Sequence, residues 1–472
     1  MRGKAIQALC AVTWLCAACA CTLEPRYRAP ALPVPDQWPI PSAQSSVNVV
    51  ASDIGWRDFF LDTRLQQLLG LALANNRDLR VAVLNIEQAR AQYRIRRAAL
   101  LPSIDTPGSF TREKLPASLT YDIPTPILSY FNVGVAITSY ELDLFGRVRS
   151  LTHASLEKYL AQEQARRSAQ LSLIAEVANV YLTLASDREL ERLALQTLQS
   201  QEDSFARQQR RHQTGTVSGL DLAQSKTTVE QARTDAARFE GSVAQDIDTL
   251  TLLVGTSIDP MLLPQQFDSK TLGLDPLPAG VPSTVLLRRP DVLEAERVLR
   301  AASANIGAAR AAFFPQITLT ANLGTASPQL SNLFTGGTGT WAIEPLISLP
   351  IFHGGALMAG LNVATVNERI ALAQYEKAIQ SGFREVADAL ALTATLNHQR
   401  AAQESLVEAT SRAYKLSQRR YKVGRDSYLE VLDSQRSDYA AQQGLIAARL
   451  AEESNRVMLY KALGGGWREQ SP

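Results

Sequence analysis

Apolar positions in this chain recur at two periods, and the switch from one to the other occurs twice. From Asn76 to Leu101 the pattern is an Ala-rich helix that stops at Pro102. From Arg289 to Phe314 it is again a helix that stops at a proline, Pro315. Proline lacks the N–H needed to continue a helix and restricts the residue before it. After Pro315, Gln316, Thr318, Thr320 and Asn322 alternate with Ile317, Leu319, Ala321 and Leu323, the period of a strand with two unlike faces. The two helices align without a gap: Asp78 with Asp291, Ala82 with Ala295, Arg97 with Arg310, Pro102 with Pro315. The chain is therefore read as an internal duplication, residues 56–255 and 283–464, joined by a proline-containing linker at 256–282.

Each half repeats one plan. In the first, Trp56–Leu73 reads as a short amphipathic helix, followed by the helix that ends at Pro102. Strands are expected at 103–114 and 130–142; in the second strand Phe131, Val133, Val135 and Ile137 share a face. A long helical hairpin is expected over 147–254, turning at Gly215 and Gly219. In the second half a helix spans about 283–313. Strands are expected at 315–326 and 339–351, and a hairpin at 354–463 with its turn at Gly424. The hairpins also align: Gln209-Arg210-Arg211 with Gln418-Arg419-Arg420, Gly215 with Gly424, Ser218 with Ser427, Gly255 with Gly464.

The lengths constrain the assembly. Residues 147–212 contain neither proline nor glycine and give ~100 Å of helix at 1.5 Å per residue. The return helix of ~50 Å and the helix before the strands of ~45 Å together match it, as two short helices stacked end to end would. Each chain thus supplies four helical columns and four strands, and neither set closes on itself. Three copies give twelve of each, an allowed even-numbered barrel. The strand alternation alone fits a water-filled barrel in lipid or half of a soluble sandwich.

Composition narrows the class. Residues 1–20 read as a signal peptide, with Arg2 and Lys4 before a charge-free apolar run too short to span a membrane. The cysteines, Cys10, Cys16, Cys19 and Cys21, all fall in or just after it, so no disulfide framework is expected in the mature chain. Cys21 follows small residues and is the expected lipidation site, with Cys19 the rival. Residues 21–55 open with a proline-rich run, an extended tether. Removing residues 1–20 takes Lys+Arg from 48 to 46 against 46 Asp+Glu, and a neutral chain is a poor partner for nucleic acid. Residues 465–472 form a short tail.

Several stretches resemble the TolC-type outer-membrane efflux channels, in their lipoprotein (NodT-like) branch. They are Glu141-Leu-Asp-Leu-Phe-Gly-Arg147, Arg288-Arg289-Pro290-Asp291-Val292 with Ala309 to Pro315, Arg420 to Gln435, Ala462-Leu-Gly-Gly-Gly-Trp467, and Cys21 to Pro30. The resemblance spans nearly the whole mature chain. It implies a mainly α fold with a small β part: a trimeric 12-strand outer-membrane β-barrel continuous with a 12-helix periplasmic α-barrel. It implies a homotrimer that docks onto a periplasmic adaptor and an inner-membrane RND transporter, as the exit duct for drugs or other small molecules.

No catalytic constellation is evident. His153, His212, His353 and His398 are isolated, and Gly336-Gly-Thr-Gly339 lacks the Lys-Ser/Thr of a phosphate loop. Neither an enzyme nor a cofactor is expected beyond the lipid on Cys21. The candidate site is the turn before the last long helix. Leu429, Glu430 and Asp433 have spacings that share a helical face, with Asp426 just before them. Facing a threefold axis, Glu430 and Asp433 would form acidic rings and Leu429 an apolar constriction. The competing reading is that acids favour a helix N-terminus. By resemblance, Glu430 and Asp433 match the family's periplasmic gate acids, and Tyr421 and Asp221 match residues that link neighbouring helices. A different function also fits the sequence: a lipid-anchored periplasmic coiled-coil scaffold without a pore.

Overall fold

The computed structural model describes residues 22–38, 54–114, 116, 127–265, 267 and 283–469. The expected signal peptide, Cys21, much of the tether and much of the linker lie outside the described residues. The helices are α1 (Trp56–Phe59), α2 (Thr63–Asn75), α3 (Arg77–Ala98), α4 (Arg147–Gln213), α5 (Gly219–Val254), α6 (Pro290–Ala311), α7 (Ala356–Lys422) and α8 (Tyr428–Ala462). The strands are β1 (Gly108–Lys114), β2 (Ile127–Glu141), β3 (Gln316–Ser327) and β4 (Gly339–Ser348). Among the described residues no helix is long and apolar enough to cross a membrane.

The elements differ from the sequence expectation where a local signal was misweighted. The helix expected over Trp56–Leu73 is two helices. Phe60 is extended, and Asp62 begins a new helix by accepting from the Arg64 N–H at 2.9 Å. The first strand begins at Gly108 rather than 103, because Pro107 has no N–H to give a ladder; Asp105 makes only an isolated bridge to Ala136. The last strand stops at Ser348, before Pro350. The helix expected from about 283 begins as a 3-10 turn, Ser283–Arg288, and becomes α-helical at Pro290, whose ring is preset for a first helical position.

The chain forms two compact units, and each draws on both halves of the duplication. The first holds residues 1–31, 85–163 and 294–375, including all four strands. They form one antiparallel sheet in the order β1-β2-β3-β4. The register stacks like with like. Val135, Leu323 and Trp341 are cross-strand neighbours, as are Ile137, Ala321 and Ile343; the opposite face carries Ala136, Asn322 and Ala342, and Thr320 beside Glu344. The apolar face is unburied: Leu323 is 68% exposed, Trp341 74% and Ile343 62%. Gly134 faces Gly324 across β2 and β3, and a Cβ on Gly324 would lie 2.3 Å from the Val133 carbonyl, so these backbones meet without room for a side chain. The tether crosses this unit. Arg310 donates to the Leu23 carbonyl at 3.2 Å, and Glu24 lies where Gly307 leaves space. Tyr27 donates to Glu296 at 2.9 Å beneath the Arg300 guanidinium.

The second unit holds residues 32–84, 164–293 and 376–472. Its core packs Trp56, Phe60, Leu65, Leu68 and Leu69 against Ile174, Val177 and Leu184 of α4, Leu250 of α5 and Tyr460 of α8. Phe59 stacks on Tyr460 with ring centroids 3.6 Å apart. The end-to-end stacking is realised at two joints. At one, α5 ends on left-handed Gly255 and the Asn76 amide donates to the Leu253 carbonyl at 2.9 Å, while the Asn76 side-chain oxygen caps α3. At the other, Arg289 donates to the Ala462 carbonyl at the end of α8 at 2.7 Å and forks onto Asp291 in the first turn of α6. It also reaches Glu385 of α7 at 2.8 Å. A Cβ on Gly382 would lie 3.1 Å from the Arg289 side chain. A glycine in the interior of α7 is thereby explained: it admits the guanidinium against the helix.

Candidate functional site

The sequence directs attention to the hairpin turns, both of which lie in the second unit. Each turn is made by a left-handed glycine, Gly215 at φ 72° and Gly424 at φ 74°, three residues before a serine N-cap. In the first hairpin, Ser218 Oγ accepts from the Asp221 N–H at 3.1 Å and donates to the Asp221 carboxylate at 2.9 Å, a reciprocal cap. Ser427, its counterpart, makes no side-chain cap bond. Asp221 is therefore engaged as a cap within its own helix, whereas Glu430, three residues after Ser427, is not drawn into one.

The first turns of α8 divide cleanly. Tyr428, Val431 and Leu432 are buried against Tyr414 and Tyr421. Leu429, Glu430 and Asp433 lie together on the exposed side, with Leu429 56% exposed. Among the described residues neither the Glu430 nor the Asp433 carboxylate has a hydrogen-bonded or ion-paired partner. Asp426 stands apart from them. Arg420 donates to it twice, at 2.6 and 2.8 Å, and this guanidinium holds the Asp426 carboxyl below the usual carboxylate range.

Tyr421 joins the two hairpins. Its hydroxyl accepts from Gln208 and from Arg211 of α4, each at 3.0 Å. Tyr428 is a second tie that the sequence reading missed. Its buried hydroxyl donates to Ser225 of α5 at 3.2 Å and lies 3.4 Å from Ser204 of α4, and its ring sits 5.4 Å from that of Tyr421. The spacing of Tyr428, Val431 and Leu432 was the available signal, since positions i, i+3 and i+4 share a face. Further along, Asp438 is buried and accepts from Gln442 at 3.0 Å and from Ser411 of α7, closing the second hairpin on itself. Burial pushes the Tyr414 phenol above its ordinary range. These groups make a hydrogen-bonded clasp with no nucleophile–base pair, and among the described residues no cluster of three or more metal-ligand side chains occurs.

Comparison with known proteins adds an independent line. A family model described as outer membrane efflux protein matches residues 68–256 and 281–465. The chain is 49% identical over 455 residues to the antibiotic efflux pump outer membrane protein ArpC of Pseudomonas putida, covering 96% of this chain and 94% of that one. A membrane protein from Pseudomonas aeruginosa has a crystal structure that superposes with a TM-score of 0.87 at 40% identity, covering 95% and 98% of the two chains. The open state of the Neisseria gonorrhoeae MtrE outer membrane channel superposes at 0.85 with 39% identity, covering 96% and 100%. A matched stretch in each half, and likeness along the whole length, place this chain in the outer membrane efflux protein family.

Proposed function

We propose that the chain is a passive outer-membrane exit duct of a tripartite efflux pump, working as a homotrimer. The sheet is the observation that carries this reading. Among the described residues it presents one bare apolar face and one polar face, and strands β1 and β4 each keep an unpaired edge. In water both features are liabilities; in a closed barrel the edges pair, the apolar face meets lipid and the polar face lines water. Three copies supply twelve strands. A scaffold anchored by lipid alone would have no use for such a face.

The remaining parts follow from this reading. Energy comes from an inner-membrane RND transporter, reached through a periplasmic adaptor. Cys21 carries the N-terminal lipid. In support, Leu23 is held by Arg310, a few residues before β3 begins, so the tether leads toward the membrane-facing strands. Leu429, Glu430 and Asp433 form the gate, with Tyr421 as a tie that keeps it shut and Asp221 as a cap beside it. Purified protein in a planar bilayer should conduct, and native mass spectrometry in detergent should give a trimer. A stable monomer without conductance would end the reading. Mass spectrometry of the mature N-terminal peptide checks the lipid: an unmodified start at Thr22 or later excludes it.

A further inference from the structure

We infer that the lipid side of the sheet carries a headgroup site, in which Arg112 and Lys114 of β1 bind the net-anionic, phosphate-bearing headgroup of a lipid in the outer leaflet. The inference rests on the duct reading, which puts the apolar face in lipid. Charge on the sheet is sorted by sign. The four strands hold five charged side chains: Arg112, Glu113, Lys114, Glu141 and Glu344. Directly opposite residues of paired strands share a face, and successive residues along a strand alternate. Glu113 pairs with Leu128, Glu141 with Thr318 and Glu344 with Thr320, which places all three carboxylates on the polar face with Asn322. Arg112 pairs with Ser129 and Lys114 with Ile127, which places both cations on the face of Val135, Leu323 and Trp341.

The pair also stands at headgroup height. β1 follows α3 and β2 leads into α4, so Lys114 and Ile127 mark the connection end of these strands, the outer end when the helices are periplasmic. From Ile317 to Ser327, β3 covers ten steps, ~33 Å along the strand and ~25 Å along the membrane normal at a usual barrel tilt, the height of an apolar band. Phe131 is level with Ser327 and stacks on Phe110 with ring centroids 4.6 Å apart, an aromatic margin to that band. Arg112 lies two steps beyond Phe110 and Lys114 four, ~5 and ~10 Å further along the normal, where headgroups replace hydrocarbon. A cation on the lipid face is costly at the midplane but tolerated at this depth, with its apolar stem against the strand. Both side chains are exposed, and among the described residues neither has an ion-pair partner. Asp122, in the connection, lies outside the described residues; even beside the pair it would leave one positive charge. In a closed trimer β1 borders β4 of the next copy, so the pair recurs once at each seam.

The test is native mass spectrometry of the detergent-solubilised trimer with phosphatidylglycerol or phosphatidylcholine of the same acyl chains, which differ in net headgroup charge. The trimer should retain phosphatidylglycerol about 5-fold or more over phosphatidylcholine, the order expected of one or two cations at an anionic lipid surface. Arg112→Gln with Lys114→Gln should shed about three phosphatidylglycerol molecules per trimer, one for each seam, and cut the preference. Arg112→Lys with Lys114→Arg should keep both, since charge is what is recognised, and Arg384→Gln with Arg412→Gln should change neither. Each variant should keep wild-type conductance in a planar bilayer, which shows the barrel intact. Equal retention of the two lipids by the unaltered trimer, or a preference that survives the double Gln variant, overturns the inference. So does a preference lost in inorganic phosphate or a soluble Glu-rich peptide but kept in acetate of equal ionic strength, which marks a site for free anions and not for lipid. A trimer that conducts but shows no headgroup preference sinks this inference alone; a chain that forms no pore sinks the duct reading beneath it.

Discussion

Replacing Gly382 with alanine should destabilise this protein, although it should stabilise a variant that lacks Arg289. Alanine is favoured over glycine inside a helix by about 1 kcal/mol. The new Cβ, however, would lie 3.1 Å from Arg289 Nε and 3.2 Å from its Cζ. The guanidinium cannot retreat freely, because it is tied to Ala462, Asp291 and Glu385 at 2.7 to 3.0 Å. Relieving the contact stretches at least one charge-assisted bond of about 1.5–3 kcal/mol, which outweighs the propensity gain and leaves Gly382→Ala about 1 kcal/mol destabilising. Arg289→Met alone should cost about 2–3 kcal/mol, mainly for the orphaned Ala462 carbonyl and lost packing, since the two carboxylates keep access to water. In that background Gly382→Ala regains the full propensity term, so the cycle should show a coupling of about 2 kcal/mol. Urea unfolding of the detergent-solubilised protein, followed by far-ultraviolet circular dichroism, gives the four midpoints. If Gly382→Ala stabilises both backgrounds by the same amount, Arg289 does not press on α7 and the account of this joint is wrong.

Three other outcomes follow from the described contacts. Burial pushes Glu453 up to about 7, with Glu452 adding to the rise and Arg456 opposing it. A raised carboxyl stabilises fully only below its ordinary value of 4.5, and that contribution is lost as pH rises through about 7. Glu453→Gln should therefore match wild type near pH 4.5 and gain about 1–2 kcal/mol at pH 8, read from unfolding midpoints across that range. Asp62 both caps α2 and accepts from the buried Tyr181 hydroxyl at 2.6 Å, so Asp62→Ala should lose about 2–3 kcal/mol in the same assay. Glu430→Ala with Asp433→Ala should weaken cation selectivity and relieve block by multivalent cations in single-channel recordings, whereas Tyr421→Ala should raise conductance; unchanged selectivity and block would reduce both acids to helix-terminus residues.

Periodicity made much of the architecture legible. Gln316 to Leu323 alternates in the sequence and alternates in the sheet, because β3 has one face of each kind. The two Pro-terminated helices, the four strands and both hairpin turns follow from such local signals. Contacts between distant segments did not. Gly382 was visible as a glycine inside a helix, but its reason is a guanidinium 93 positions earlier, and nothing in the α7 sequence points there. Asp62 looked like part of one amphipathic run because its capping role depends on Phe60 leaving the helix. At the turns, spacing placed Leu429, Glu430 and Asp433 on one exposed side. Resemblance alone matched Asp221 to residues that link neighbouring helices, and its bond to Ser218, a cap within its own helix, is a contact that spacing did not reveal. The tie through Tyr428 escaped notice because its partners, Ser204 and Ser225, are ordinary serines that only the fold brings near.

The two joints, where α5 meets α3 at Asn76 and α8 meets α6 at Arg289, have a consequence for how such a chain can vary. A column assembled from two helices has a seam, and at a seam the backbone can leave and return without disturbing helical phase on either side. At the first seam the chain departs at Gly255; at the second it departs at Gly464, and it arrives there from Ser283. Packing continues a little past both exits, since Ile258, Leu262, Leu263 and Phe267 join the core after Gly255 and the Arg468 carbonyl accepts from Trp56 after Gly464, so only residues added or deleted between Phe267 and Ser283 shift no packed side chain. The one-piece helices α4 and α7 offer no such freedom, since a single extra residue there rotates everything downstream by about 100°. Length differences among related chains should therefore gather between Phe267 and Ser283, and an epitope or affinity tag placed there should leave the columns intact.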